Sequence, residues 1–265
     1  MSQRAILCPR CRQIIGSAES HCSWCGTSRS NPFWVLIGAA GGNWVTGSIL
    51  TVNILFFGLS LLLSTKVDPS SGFLSPGHNS LLLLGASGTV PIDHFGRYWS
   101  VVCANYLHGG ILHLLFNLMA FRQLAPWVVN EYGSSRMFVI YTLGGVAGYL
   151  VSYFAGVPFT VGASAALCSL IGALLYYGKS RGGNYGRTVY REIGGWALSI
   201  GIFGLIFPGI NNWAHGGGVL AGIALGAVLG YNEKRNQHVV DHLLALLCVL
   251  VTIGVLVWAL FGARI

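Results

Sequence analysis

Seven stretches of this chain, at roughly 45–65, 107–126, 137–156, 161–178, 192–209, 213–231 and 241–262, are long, apolar and nearly free of charge. Few folds accept such stretches. Hydrocarbon offers no water to satisfy a bare N–H or C=O, so an apolar run must coil into an α-helix that bonds its own backbone. About 20 apolar residues suffice to span a bilayer. Charged residues make up 8% of the chain, where a soluble domain carries about 25%. The expectation is an all-α, multi-pass integral membrane protein embedded in the lipid bilayer. Residues 1–30 are polar and cysteine-rich, so no cleavable signal peptide is expected at the start.

The formal net charge is +8, but the basic residues are not interleaved with stacking aromatics, and no nucleic-acid partner is expected. They lie between the apolar runs, where lysine and arginine counts report orientation. One side carries twelve: Arg4, Arg10, Arg12, Arg29, Arg122, Arg136, Lys179, Arg181, Arg187, Arg191, Lys234 and Arg235. The other carries three, Lys66, Arg97 and Arg264. The positive-inside rule therefore puts the N-terminus in the cytoplasm, and seven spans put the C-terminus outside. A bacterial plasma membrane is the expected home.

The N-terminal segment contains CPRC at 8–11 and CSWC at 22–25. Four thiolates, Cys8, Cys11, Cys22 and Cys25, suit a tetrahedral Zn²⁺ site, and the short spacer between the two knuckles suggests a compact zinc ribbon. A redox CxxC would need a βαβ context that thirty residues cannot supply. Disulfides are disfavoured in a reducing cytoplasm. A segment so short cannot build a core of its own, so structural zinc should supply most of its folding energy. Its expected use is to recruit a cytosolic protein partner. Cys103, Cys168 and Cys248 lie in or beside apolar runs and read as small core residues.

Two serines sit in a Gly-Ala-Ser setting: Ser87 in GASGTV and Ser164 in GASAAL. Ser87 falls in the longest stretch between spans, residues 66–106, and reads as a loop serine at a glycine-rich turn. Ser164 begins the fourth apolar run. Taken alone, a membrane serine usually bonds back to its own helix. The histidines shift that balance. The second run contains HGGILHLLFN, with His108, His113 and Asn117, and the sixth opens WAHGGGVLAG, with His215. The even-numbered runs all start on one side, so Ser164, His113 and His215 should lie at similar depth. His113 and Asn117, four apart, share a helix face. Ionisable groups inside a membrane are costly and point to function. Gly218-x-x-x-Gly222 offers a thin face for close helix approach.

No carboxylate lies in the outer half of any run, so a Ser–His pair without a third acidic member is the economical reading. A zinc site built from His108, His113 and His215 is a second reading, although it leaves Ser164 and Asn117 unused and no HExxH is present. A channel or transporter is a third, weakened by the lack of intramembrane acids and of symmetry between the halves.

With these pieces in order, residues 45–230 resemble the rhomboid family of intramembrane serine proteases. Arg97 and Trp99 are similar to its first-loop signature in shifted form, HGGILHLLFN to its His-x4-His-x3-Asn pattern, GAS at 162–164 to its Gly-x-Ser, and AHGGGVLAG to its histidine helix. The resemblance implies a six-helix bundle with a short fourth helix, here followed by a seventh. It implies an endopeptidase that cuts transmembrane protein substrates near the outer face, with no cofactor in the chemistry. Ser164 would be the nucleophile and His215 its general base. His113, Asn117 and the Ser164 N–H would form the oxyanion hole, and His108 would support the polar network below the loop. Three positions depart from the family: Ala165 for the glycine after the serine, Cys168 for an aromatic one turn later, and Val129 for an acidic residue. A rhomboid-like binding or chaperone protein without activity is the alternative. The expected organisation is a zinc-ribbon segment at 1–30, a linker at 31–44, the membrane domain at 45–231, and a loop with the added helix at 232–265.

Overall fold

A computed structural model of the chain describes residues 5–7, 14–16, 19, 44–69 and 71–262. They fall into two compact units, one up to Ile49 and one from Leu50 onward. In the first, strands β1 (Ala5–Leu7) and β2 (Ile14–Gly16) pair antiparallel, with Leu7 opposite Ile14. The Gly16 N–H donates to Glu19 Oε1 at 2.9 Å. The expected ribbon cysteines, Cys8, Cys11, Cys22 and Cys25, lie outside the described residues, as does the expected linker up to residue 43.

Helix α1 spans Trp44–Val67. The stretch after it is more ordered than a plain interfacial loop. It holds α2 (His78–Leu83), a π-turn (Val90–His94), α3 (Ser100–Cys103) and a 3₁₀ turn (Ala104–Tyr106). Asp68 anchors α2, its Oδ2 accepting the Ser80 N–H at 2.8 Å. Six longer helices follow: α4 (Ile111–Tyr132), α5 (Ser134–Phe154), α6 (Ser164–Arg181), α7 (Gly183–Ile206), α8 (Asn212–Leu229) and α9 (Val239–Phe261).

Six helices, α1, α4, α5, α7, α8 and α9, are long and apolar enough to cross a membrane, so the chain is a multi-pass integral membrane protein. Helix α6, the fourth run of the sequence reading, is not among them. It is as long as α8, 18 residues each, but its last turn carries Lys179 and Arg181. The reason for the departure is its position. Helices α4, α5, α7 and α8 all pack against it, and twelve of its residues are buried. A helix wrapped in protein needs no lipid-facing surface, so small and polar residues are tolerated.

Glycine sets how closely the central helices approach. A Cβ at Gly222 would overlap the Ser169 carbonyl, one at Gly218 the Ala165 oxygen, and one at Gly172 the Val219 oxygen. Helices α6 and α8 thus meet backbone to backbone. Helix α5 joins them, since a Cβ at Gly148 would stand 2.6 Å from the Ala214 oxygen.

Helix α9 is fastened to α5 by a buried ion pair. Arg136 and Asp241, with side chains 0% and 1% exposed, meet at 2.7 Å. Arg136 also donates to the carbonyls of Gly230, Arg235 and Asn236 at 3.1, 2.9 and 2.8 Å. Burying a charge is costly unless it is paired and hydrogen-bonded, and both conditions are met here.

Overpacking a close helix contact costs about 1–3 kcal/mol. Gly222→Ala should lower the thermal unfolding midpoint in detergent by several degrees. Gly216→Ala, where a Cβ meets nothing within 4 Å, should leave it in place. Equal midpoints for the two variants would contradict the α6–α8 contact.

Candidate active site

Ser164 is the first residue of α6, so its N–H and those of the next residues have no acceptor within the helix. The chain reaches it through Gly162 at φ +134°, a conformation that costs glycine little and other residues much. The Gly162 N–H bonds the Ala104 carbonyl at 2.9 Å, and its own carbonyl accepts from the Tyr149 hydroxyl. A Cβ here would stand 2.7 Å from Nε2 of His113 and 3.6 Å from Ser164 Oγ. A bare α-carbon is therefore what lets the His113 ring come up beside the serine.

His215 lies in the first turn of α8, whose N-terminus is capped by Asn211. The Ala214 N–H donates to Asn211 Oδ1 at 3.0 Å, and Asn211 Nδ2 donates to Ser152 Oγ at 2.6 Å and Thr160 Oγ1 at 3.0 Å. One side chain thus ties the start of the histidine helix to α5 and to the segment leading into Ser164. His215 Nε2 stands 2.8 Å from Ser164 Oγ. With the imidazole proton on Nδ1, Nε2 can accept from the serine O–H. Both residues are partly exposed, so the pair is open to a reactant.

His113 and His108 are neighbours, their rings edge to face at 5.1 Å. Asn117 Nδ2 donates to the His113 carbonyl at 2.8 Å, so this amide is engaged with its own helix. His108 is wholly buried, and neither of its nitrogens finds a hydrogen-bond partner among the described residues. The alternative zinc reading of His108, His113 and His215 fails on geometry. Among the described residues, no three histidines, cysteines or carboxylates are gathered closely enough to hold a metal ion.

Ser87 belongs to a different structure. It is fully buried, and its backbone forms a two-way bridge with Thr160, at 3.0 and 2.8 Å. Its hydroxyl accepts from Ser100 Oγ at 3.1 Å. The flanking Gly85 and Gly88 take φ +100° and +131°, and a Cβ at Gly88 would press within 2.5 Å of the Pro158 oxygen. This GASG joins the first loop to the segment that delivers Ser164.

Ala165 finds room for its methyl within a buried cluster of Ile92, Val101, Ala104, Tyr149 and Ala214. Cys168 is buried and lies on a cleft of about 460 Å³ that His215 also lines. Sequence reasoning passed over Asn211, Thr160 and Tyr149. An asparagine just before WAH is a recognisable N-cap signal. Tyr149 carries no such signal, because nothing local foretells that its hydroxyl meets Gly162.

Fold and site together define a helical membrane protein with a serine–histidine pair at the start of two adjoining inner helices. A profile of the Rhomboid domain matches residues 96–232, just over half the chain. Rhomboid protease GluP of Bacillus subtilis (strain 168) is 30% identical over 210 residues, covering 79% of this chain and 41% of that protein. RHOMBOID-like protein 5 of Arabidopsis thaliana is 32% identical over 188 residues, covering 66% and 58%. Rhomboid-like protease 5 of Toxoplasma gondii is 29% identical over 178 residues, covering 63% and 20%. The chain belongs to the rhomboid family. It spans 58% or less of the length of these three relatives.

Removing a buried hydroxyl with one hydrogen bond costs about 1 kcal/mol, a few degrees for a chain of this size. Ser87→Ala should lower the unfolding midpoint in detergent by that much, and Ser164→Ala, whose hydroxyl bonds His215 at a partly exposed position, by less. The reverse order would contradict these assignments.

Proposed function

We propose that this chain is an intramembrane serine endopeptidase, and the 2.8 Å approach of His215 Nε2 to Ser164 Oγ is the observation that carries the reading. Ser164 Oγ attacks the scissile carbonyl carbon while His215 takes its proton. The new C–O bond leaves the carbonyl oxygen negative. The Ser164 N–H, unbonded within its helix, is one donor for that oxyanion. His113 is a second, and Asn117 a third once its amide turns from the His113 carbonyl. Each such donor is worth about 3 kcal/mol of transition-state stabilisation. His215 then gives its proton to the leaving amine as the C–N bond breaks. Water, deprotonated by the same imidazole, hydrolyses the acyl-enzyme. No cofactor enters these steps.

The substrates are transmembrane proteins cut near their outer ends. An intact helix ties up its carbonyls in i→i−4 bonds, so the cleaved segment must unwind locally, and helix-breaking or small residues near the cut are expected. With the N-terminus cytoplasmic, the catalytic pair lies in the outer half of the membrane. A non-enzymatic membrane binder is the competing reading, drawn from Ala165 and Cys168. The snug burial of Ala165 weighs against it.

The N-terminal segment is a structural zinc site held by Cys8, Cys11, Cys22 and Cys25. The antiparallel pairing of Leu7 with Ile14 supports this, because it draws together the two strand ends that flank CPRC in the sequence. The ribbon recruits a cytosolic partner and takes no part in the chemistry.

Purified protein should cleave a model transmembrane substrate and react with a fluorophosphonate probe at Ser164. Ser164→Ala and His215→Ala should each lose at least a thousandfold in cleavage, while Ser87→Ala keeps most of it. Equal cleavage by wild type and Ser164→Ala would refute the protease, and a folded protein inert to the probe would favour the binder. Elemental analysis should find one zinc per chain, lost in Cys8→Ser/Cys11→Ser. Deleting residues 1–30 should leave cleavage in detergent intact.

A further inference from the structure

The corner where α6 ends and α7 begins contains a groove of about 470 Å³, lined by Gly178, Lys179, Arg187, Tyr190, Arg191 and Gly194 among others. Three cations line it and no carboxylate does. Glu233 pairs with Arg181 at 2.7 Å, and Glu192, next to Arg191 on α7, does not line the groove. Lys179, Arg187 and Arg191 form no ion pair with any described residue.

Two of the three cations are held in place. Arg187 donates to the Gly183 carbonyl at 3.1 Å and to Asn184 Oδ1 at 2.8 Å, which leaves the rest of its five N–H donors open. Lys179 Nζ stands 5.9 Å from the centre of the Tyr190 ring. Gly178 lets the helices close here, because a Cβ on it would lie 2.7 Å from the Tyr190 N. Exposed positive charge drawn together in a groove with no acid in its lining favours an anion from outside the chain.

The rest of α7 says which anion. Residues 187, 191, 194, 198, 202 and 205 follow one another by three or four, so they form a single stripe along the helix. The stripe begins basic, passes through Gly194, and continues as Leu198, Ile202 and Leu205, all exposed. Those three leucine and isoleucine side chains line the apolar cleft that α7 makes with Cys168 and Val219. A charged head followed by about 10 Å of apolar track from Leu198 to Leu205, at 1.5 Å per residue, matches a phospholipid better than a free ion.

We propose that Lys179, Arg187 and Arg191 bind the phosphate of an anionic phospholipid headgroup, with an acyl chain lying along the Leu198–Ile202–Leu205 track. Basic pockets between membrane helices on the cytoplasmic side take such headgroups, and the lysine and arginine distribution puts this corner there. The site does not depend on the chain being a protease.

The full chain in detergent, mixed with equal phosphatidylglycerol and phosphatidylcholine, can be read by native mass spectrometry. Phosphatidylglycerol adducts should exceed phosphatidylcholine adducts at least fivefold. Arg187→Gln/Arg191→Gln should bring that ratio below twofold, and Lys179→Gln alone should halve it. Arg122→Gln/Lys234→Gln, which removes equal charge elsewhere, should leave it unchanged. Equal adducts in wild type, or an equal loss in the Arg122/Lys234 variant, would overturn the site. Displacement of the lipid by millimolar inorganic phosphate would overturn the lipid in favour of a free anion.

Discussion

The structure depends on two helices touching through their backbones. Where Gly218 and Gly222 of α8 rest on the carbonyls of Ala165 and Ser169, no side chain separates α6 from α8. The residues one or two turns nearer their N-termini then face each other at hydrogen-bond range, as Ser164 and His215 do. Larger residues would hold the axes apart, since helix separation follows side-chain size. In lipid there is no hydrophobic force between helices, so close packing of small residues is the main source of attraction as well as of alignment.

That alignment would be of little use if the start of each helix were free to move. Asn211 caps α8 and reaches Thr160, whose backbone pairs with Ser87 in the first loop. Gly162 then bonds Ala104. The loop, the segment before Ser164 and the beginning of the histidine helix are therefore one hydrogen-bonded body. Two near-identical tetrapeptides have opposite duties within it. GASG at 85–88 supplies turns and a bridge, while GASA at 162–165 opens a helix with its serine toward His215. The difference is made by what surrounds them, since both contain the same chemistry.

Polar groups elsewhere obey the same economy. Arg136 is buried because Asp241 and three carbonyls meet it, and the pair pins α9 to α5. The basic groove between α6 and α7 has no acid in its lining, and its charge is left to an outside partner. Helix α7 packs on α6 and scarcely meets α8. It thus keeps much of its surface for the bilayer.

Much of this was legible in the residues. Apolar runs dictated helices, because a chain in hydrocarbon has no other way to satisfy its backbone, and six of the seven expected runs coincide with helices fit to cross a membrane. The order of HGGILHLLFN, GAS and AHGGG carried the family. Residue spacing also placed Ser164, His113 and His215 at comparable depth, but depth along an axis says nothing about rotation around it. Only tertiary packing decided which faces of α6 and α8 meet, that α6 is sheathed in protein, that Ser87 is a bridge, and that Asn211 and Tyr149 hold the site's approach. Local sequence encodes periodicity and caps; contacts between residues fifty positions apart arise only when the helices settle against one another.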